Sequence, residues 1–215
     1  MKVLSILAIL LLGLTAGASG SRVGNGGHGV VCKDSSGHEY LPELLDLYEA
    51  VHAYGRVAQW IGANSLDEAL EVYKRKIALA LPENHPFLRV LDQIDNLKLD
   101  FELVDNLRIQ TDDLGLFAKI DPNCRVVQLA IRGEDILNCR LQISKEFWNG
   151  TGYDTQALLL IHEAFHSWFD SSSSVASGTL AIRQAVGLLY TSAMVDSSDR
   201  QLFRSLVENR APVLF

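Results

Sequence analysis

Apolar positions recur along this chain with two different periods. Leu41, Leu44, Leu45, Tyr48, Val51 and Tyr54 follow the three-and-four spacing of a helix with one buried face. Pro42 suits the first turn of that helix. Ser65-Leu66-Asp67-Glu68 has the form of a capping box, in which the serine and glutamate side chains each satisfy a free backbone N–H. It predicts a helix running to about Leu81. After Pro82 and Pro86, the positions Phe87, Leu88, Leu91, Ile94 and Leu97 predict a third helix. Near Leu116 the pattern changes. Leu116 to Ile120, Arg125 to Ile131 and Ile136 to Ile143 are short runs rich in apolar and β-branched residues, separated by Asp121-Pro122-Asn123 and Gly133-Glu134-Asp135. They predict an antiparallel meander or a pair of hairpins. Helix resumes with Asp154 as the expected N-cap and continues to about Phe169. Ser171 to Ser174 with Gly178 reads as a loop, and two more helices follow, over about Thr179 to Met194 and Ser198 to Asn209. The pattern therefore predicts a mostly helical α+β domain over 40–215, with a helical part at 40–110. The part at 111–215 holds the short β meander, one long helix and two C-terminal helices.

The start of the chain has a different character. Lys2 precedes an almost wholly apolar run, Val3 to Leu14, and Ala16-Gly17-Ala18 has the form of a cleavage site for a secretory signal. The run is shorter than the ~20 residues that span a bilayer. We therefore expect a signal peptide over 1–18, no stable membrane insertion after its removal, and a Gly-rich flexible lead-in over 19–39. A formal charge of −7 argues against a nucleic-acid binder, which needs a basic surface. Export implies an oxidising compartment, so the three cysteines bear on disulfide pairing. Cys124 and Cys139 flank two strand-like runs and are placed to meet across a hairpin. Pairing of Cys32 with either of them is nearly as well supported, because spacing does not fix connectivity.

The motif that carries chemistry is His162-Glu163-Ala164-Phe165-His166, on the helix predicted from Asp154. Two histidines four apart lie ~40° apart around a helix and ~6 Å apart along it, so both imidazoles reach one metal ion. Zinc takes imidazole nitrogens, and a catalytic zinc keeps three protein ligands and a water. Glu163 is placed to reach that water rather than the metal, and to carry its proton as it attacks a carbonyl. Leu158-Leu159-Leu160-Ile161 before the motif and Phe165, Trp168 and Phe169 within and after it predict a buried helix with fixed ligand directions.

Over about Gln156 to Asp170 the helix resembles the active helix of the zincin metallopeptidases. The resemblance implies that His162 and His166 are zinc ligands and that Glu163 is the general base. It also implies an exported zinc-dependent hydrolase, acting on a peptide or protein substrate, with 111–215 as its zincin-like part. The metzincin continuation is absent, since Ser167-Trp168-Phe169-Asp170 follows His166. Gly178 to Met194 holds no glutamate of gluzincin type, and the residues after Gly178-Thr179 hold no aspzincin acid. Asp170, one turn beyond His166, is the expected third ligand. Asp196, Glu208, His28 and His38 are the alternatives. Tyr153 and Tyr190 are candidate donors to an oxyanion. The chain also resembles a loose set of uncharacterised exported bacterial proteins, through Gly26-Gly27-His28-Gly29-Val30-Val31-Cys32 and Leu44 to Ala50. That resemblance implies a Gram-negative periplasmic or secreted setting. The competing expectation is a non-catalytic envelope protein that keeps the helix for structure or for binding a partner.

Overall fold

The computed structural model describes residues 27–107, 120–132, 141–169 and 175–212. The signal sequence, the run Leu116 to Lys119, the turn Gly133-Glu134-Asp135, Cys139, Asp170 and the loop Ser171 to Ser174 all lie outside the described residues.

The fold is α+β and mostly helical, as the pattern predicts. The strands divide between two three-stranded sheets. In the first, β1 (His28–Cys32) lies between β2 (Glu43–Leu44) and β4 (Cys124–Gln128), antiparallel to both. In the second, β6 (Leu141–Ser144) lies between β3 (Phe101–Val104), to which it is parallel, and β5 (Ala130–Arg132), to which it is antiparallel. The run expected as one strand from Arg125 to Ile131 thus breaks at Leu129, and its two halves join different sheets.

One expectation about the N-terminal region needs correction, and the cysteine pairing that spacing left open resolves. Part of the stretch expected as a flexible lead-in over 19–39 is ordered: His28–Cys32 is the central strand of the first sheet. Glycine permits this packing at Gly29, where an added Cβ would run into the Leu129 side chain and the Glu43 carbonyl. The cysteine that pairs with Cys124 is Cys32, not Cys139: the two face each other in the β1–β4 register and form a disulfide. The bond closes a loop over a sequence separation of 92, a span for which chain entropy predicts about 4–5 kcal/mol of stabilisation.

The helical part begins later than expected. Pro42 precedes β2, and α1 (Leu45–Tyr48) passes directly into a π-helical turn, Glu49–Ala53. The capping box forms ahead of α2 (Leu66–Ala80), with Ser65 Oγ accepting from Glu68 N–H at 3.2 Å. The Glu68 carboxylate accepts from the N–H of Asn64, one residue before the cap, at 2.9 Å. A 3₁₀ turn, Pro86–Arg89, leads into α3 (Val90–Leu99). The remaining helices are α4 (Lys145–Gly150), α5 (Tyr153–Phe169), α6 (Val175–Thr191) and α7 (Ser197–Asn209). One hydrophobic core joins residues from Leu44 to Val207, so both parts of the chain bury apolar surface together.

Helix α5 is the centre of that core. It packs on α2, α3 and α6, and residues 154–166 are all buried. Phe87 meets Phe165, Trp168, Phe169 and Phe203 edge-on, with ring centroids 5.0–6.3 Å apart, which fixes the C-terminal half of the helix. The N-terminal half is fixed by a carboxylate. Asp154, expected as an N-cap, instead lies inside the first turn and accepts the backbone N–H groups of Ile61, Gly62 and Ala63 at 2.8–3.3 Å.

Candidate metal centre

The two histidines of the motif face each other. His162 Nε2 and His166 Nε2 are 3.3 Å apart. Two nitrogens held ~2.05 Å from one tetrahedral zinc ion are also about 3.3 Å apart. The other ring nitrogen of His162, Nδ1, lies 2.8 Å from Asp46 Oδ2. A carboxylate on Nδ1 fixes ring orientation and directs the Nε2 lone pair outward, the usual second-layer support of a zinc-binding histidine. Burial disfavours the His162 cation, but the charge and hydrogen bond of Asp46 outweigh it and raise the imidazole above its ordinary value.

Glu163 points at the N-terminal strand. Its Oε1 accepts the backbone N–H of Gly27 at 2.5 Å. Its Oε2 is buried and has no hydrogen-bond partner among the described residues, and the same holds for Asp46 Oδ1. A buried acceptor left unsatisfied costs about 1–3 kcal/mol, so two within one cluster are unusual in the absence of a ligand or water. Gly27 must be glycine here, because an added Cβ would collide with the buried Leu159 side chain, one turn before Glu163 on the same helix.

A second layer comes from α1, the π-turn and α6. Asp46 and Glu49 are each 1% exposed, and Glu49 Oε2 lies 3.3 Å from Arg183 Nε on α6. The approach is close because Gly187, one turn after Arg183, has no side chain: a Cβ there would sit 2.9 Å from both Ala50 Cβ and the Asp46 carbonyl. Counted with formal charges, the carboxylates Asp46, Glu49 and Glu163 face the single guanidinium of Arg183 among these buried groups. Two negative charges remain, and a divalent cation or protonated imidazoles would balance them.

His28 belongs to the same neighbourhood. Burial pushes its imidazole down to about 4, and the charges of His162, Arg183 and His166 act in the same direction, against the attraction of Asp46. The residue therefore stays neutral, the form in which imidazole binds metal. Of the other third-ligand candidates, Asp196 caps α7, its side chain accepting from Ser198 N–H at 2.7 Å. Glu208 is exposed on α7, and His38 is exposed beside Tyr40. None of these three is in the buried cluster. Asp170 lies outside the described residues. Tyr153 is 44% exposed and sits nine residues, or about 13 Å, before His162 along the helix. Tyr190 packs edge-on against Trp60 and shares its electrostatic surroundings with Asp154 at the other end of α5. Neither tyrosine borders the histidines.

The residues present thus fit one half of a zinc site well: two opposed imidazoles, a supporting carboxylate and a second carboxylate with one oxygen unengaged. Among the described residues, no three His, Cys, Asp or Glu donors converge at coordinating distance. The sequence pattern missed Asp46, Glu49 and Gly27. The available signal was the spacing of Asp46 and Glu49, two acids three apart inside the apolar run Leu44 to Ala50.

No family model, curated protein or solved structure matches this chain.

Proposed function

We propose that the chain is an exported zinc-dependent hydrolase of peptidase type, with His162 and His166 as metal ligands and Glu163 as the general base. The observation that carries this reading is the opposed pair of Nε2 atoms at 3.3 Å, with Nδ1 of His162 already committed to Asp46. Bound zinc would supply a Lewis acid and a hydroxide available near neutral pH. Asp46 holds the His162 ring in one orientation. Gly27 N–H engages Glu163 Oε1 and leaves Oε2 as the atom that takes a proton and returns it to a leaving amine. The apolar residues around α5 exclude bulk water, which strengthens each of these interactions. Export is supported by the N-terminal apolar run and by the Cys32–Cys124 disulfide, a bond that persists in oxidising compartments. No described helix is long and apolar enough to cross a membrane.

A second reading is favoured by one specific observation. His162, Glu163 and His166 are only 2%, 0% and 5% exposed, and the histidines already contact one another and Asp46. A non-catalytic envelope protein that uses the helix as a structural centre would have that arrangement.

Zinc content by elemental analysis and casein hydrolysis separate the two. The wild-type protein is expected to hold one zinc and His162→Ala none. Glu163→Gln is expected to keep zinc and lose hydrolysis. Wild-type protein without stoichiometric zinc overturns the metal reading. Bound zinc with hydrolysis undiminished in Glu163→Gln removes the base from the mechanism.

A further inference from the structure

We propose that the Cys32–Cys124 disulfide is a reversible redox latch of this site: oxidised, it fixes α1 and with it Asp46 against His162, and reduced by a dithiol it lets α1 go. The regulation this gives rests on the zinc reading above, whereas the latch itself is a property of the fold. Side chains alternate along a strand, so Cys32 shares a face of β1 with Val30, and that face is the one turned to α1. Val30 packs there with Leu45 and Tyr48, and the two cysteines and Ile120 close over them. Tyr48 is also tied to the turn that enters β4. Its Oη accepts from Asp121 N–H at 3.1 Å, and the Asp121 carbonyl accepts from Cys124 N–H at 2.9 Å. The other side of α1 faces the candidate site and the main core: Asp46 Oδ2 lies 2.8 Å from His162 Nδ1, and Leu47 enters the core.

Helix α1 has only four residues, too few for its own hydrogen bonds to hold it. Its position is set by what grips it: α6 and the main core on one side, the small cluster on the other. That cluster has three buried side chains, Val30, Leu45 and Tyr48, separate from the main core. So small an apolar cluster needs a staple to hold a sheet in place, and the staple here is the disulfide. Cys32 and Cys124 are both partly exposed, within reach of a thiol, and exposed disulfides are the labile ones. A thiolate of the dithiol attacks one sulfur, the S–S bond breaks, and the other sulfur leaves as a thiolate that takes up a proton. The second thiol of the reductant then displaces the mixed disulfide. Two electrons and two protons pass, the dithiol ending as a disulfide and both cysteines as thiols. A disulfide oxidant reverses the exchange.

The test uses the full mature protein, with free thiols blocked while the pair is oxidised. A dithiol then reduces the pair, and hydrogen exchange is followed by mass spectrometry without metal. Residues 44–53 are expected to lose protection at least tenfold, while α2, α3 and α7 keep theirs, and reoxidation is expected to restore it. Zinc affinity is read on Cys32→Ser/Cys124→Ser, which has no thiol of the pair to compete for the ion. It is expected to be at least tenfold weaker than for oxidised wild type, the range for losing the carboxylate behind a ligand. Exchange over 44–53 equal in the two states overturns the proposal. So does loss of protection throughout the molecule, which would make the disulfide a staple of the whole fold, and so does a pair that excess dithiol leaves unreduced. Zinc affinity equal to wild type in the double variant overturns the regulation of the site. Oxidised wild type that binds no zinc overturns the zinc reading instead, and hydrogen exchange still decides the latch.

Discussion

Asp46 touches His162 from the side opposite His166, and its second oxygen is left without a partner among the described residues. In the proposed zinc site it is a positioning residue, which would act on the metal only through the imidazole it orients. Asp46→Asn keeps the shape and removes the charge. Losing such a partner typically lowers metal affinity 10–100-fold. We expect that loss in a competition titration against a chromophoric chelator, with hydrolysis falling only as far as metal occupancy falls. Unchanged affinity would make Asp46 a purely structural partner. Lys76 offers a separate test on the other side of α5. Its ammonium donates to the Leu189 carbonyl at 2.8 Å and lies 5.0 Å from the centre of the Tyr73 ring. Burial pushes its pKa down to about 8, with Asp154 pulling the other way. The unfolded chain, with an ordinary lysine near 10.4, binds more protons than the folded one between those two values. Stability should therefore be flat below pH 8 on this account and rise as pH climbs from about 8 towards 10. Urea midpoints across that window should rise in wild type and lose that component in Lys76→Met. Parallel curves would show that Lys76 does not titrate there.

At the scale of elements, the site depends on how closely α6 approaches α1 and the π-turn. Gly187 sets that distance, since a Cβ would meet the Ala50 side chain and the backbone oxygen of Asp46, neither of which can swing away. Gly187→Val should cost about 1–3 kcal/mol by overpacking. It should also separate Glu49 from Arg183, and urea denaturation together with metal affinity would register both effects. A stability equal to wild type would mean that the helices part without cost. The helices were legible in the sequence because each carries a repeating apolar face or a cap: α2 has its Ser65–Glu68 box, and α5 has its run of leucines into the motif. Strand β1 was not legible, because glycines at 26, 27 and 29 read as a linker when no partner strand is known. Only the folded structure reveals that Gly27 admits Leu159 and Gly29 admits Leu129. Strand β3 pairs in parallel with a segment forty positions away, and a local pattern carries no trace of that. The acids at 46 and 49 were hidden for the same reason. Periodicity assigns a charged residue in an apolar run to the solvent face, whereas here an arginine and a histidine from distant helices meet them.

The whole molecule is organised around one buried helix. Its hydrophobic faces are covered by α2, α3 and α6, and its polar positions are collected on the side where β1 and α1 arrive. The hydrogen bond from Gly27 to Glu163 spans 136 positions, and that from His162 to Asp46 spans 116. Contacts of such range form late, because closing a long loop must precede any gain from its ends. A chain made from its amino end onward therefore emerges with its chemistry unassembled, and stays so until nearly four-fifths of it has appeared. Whatever reactivity this helix confers is withheld from the half-made polypeptide.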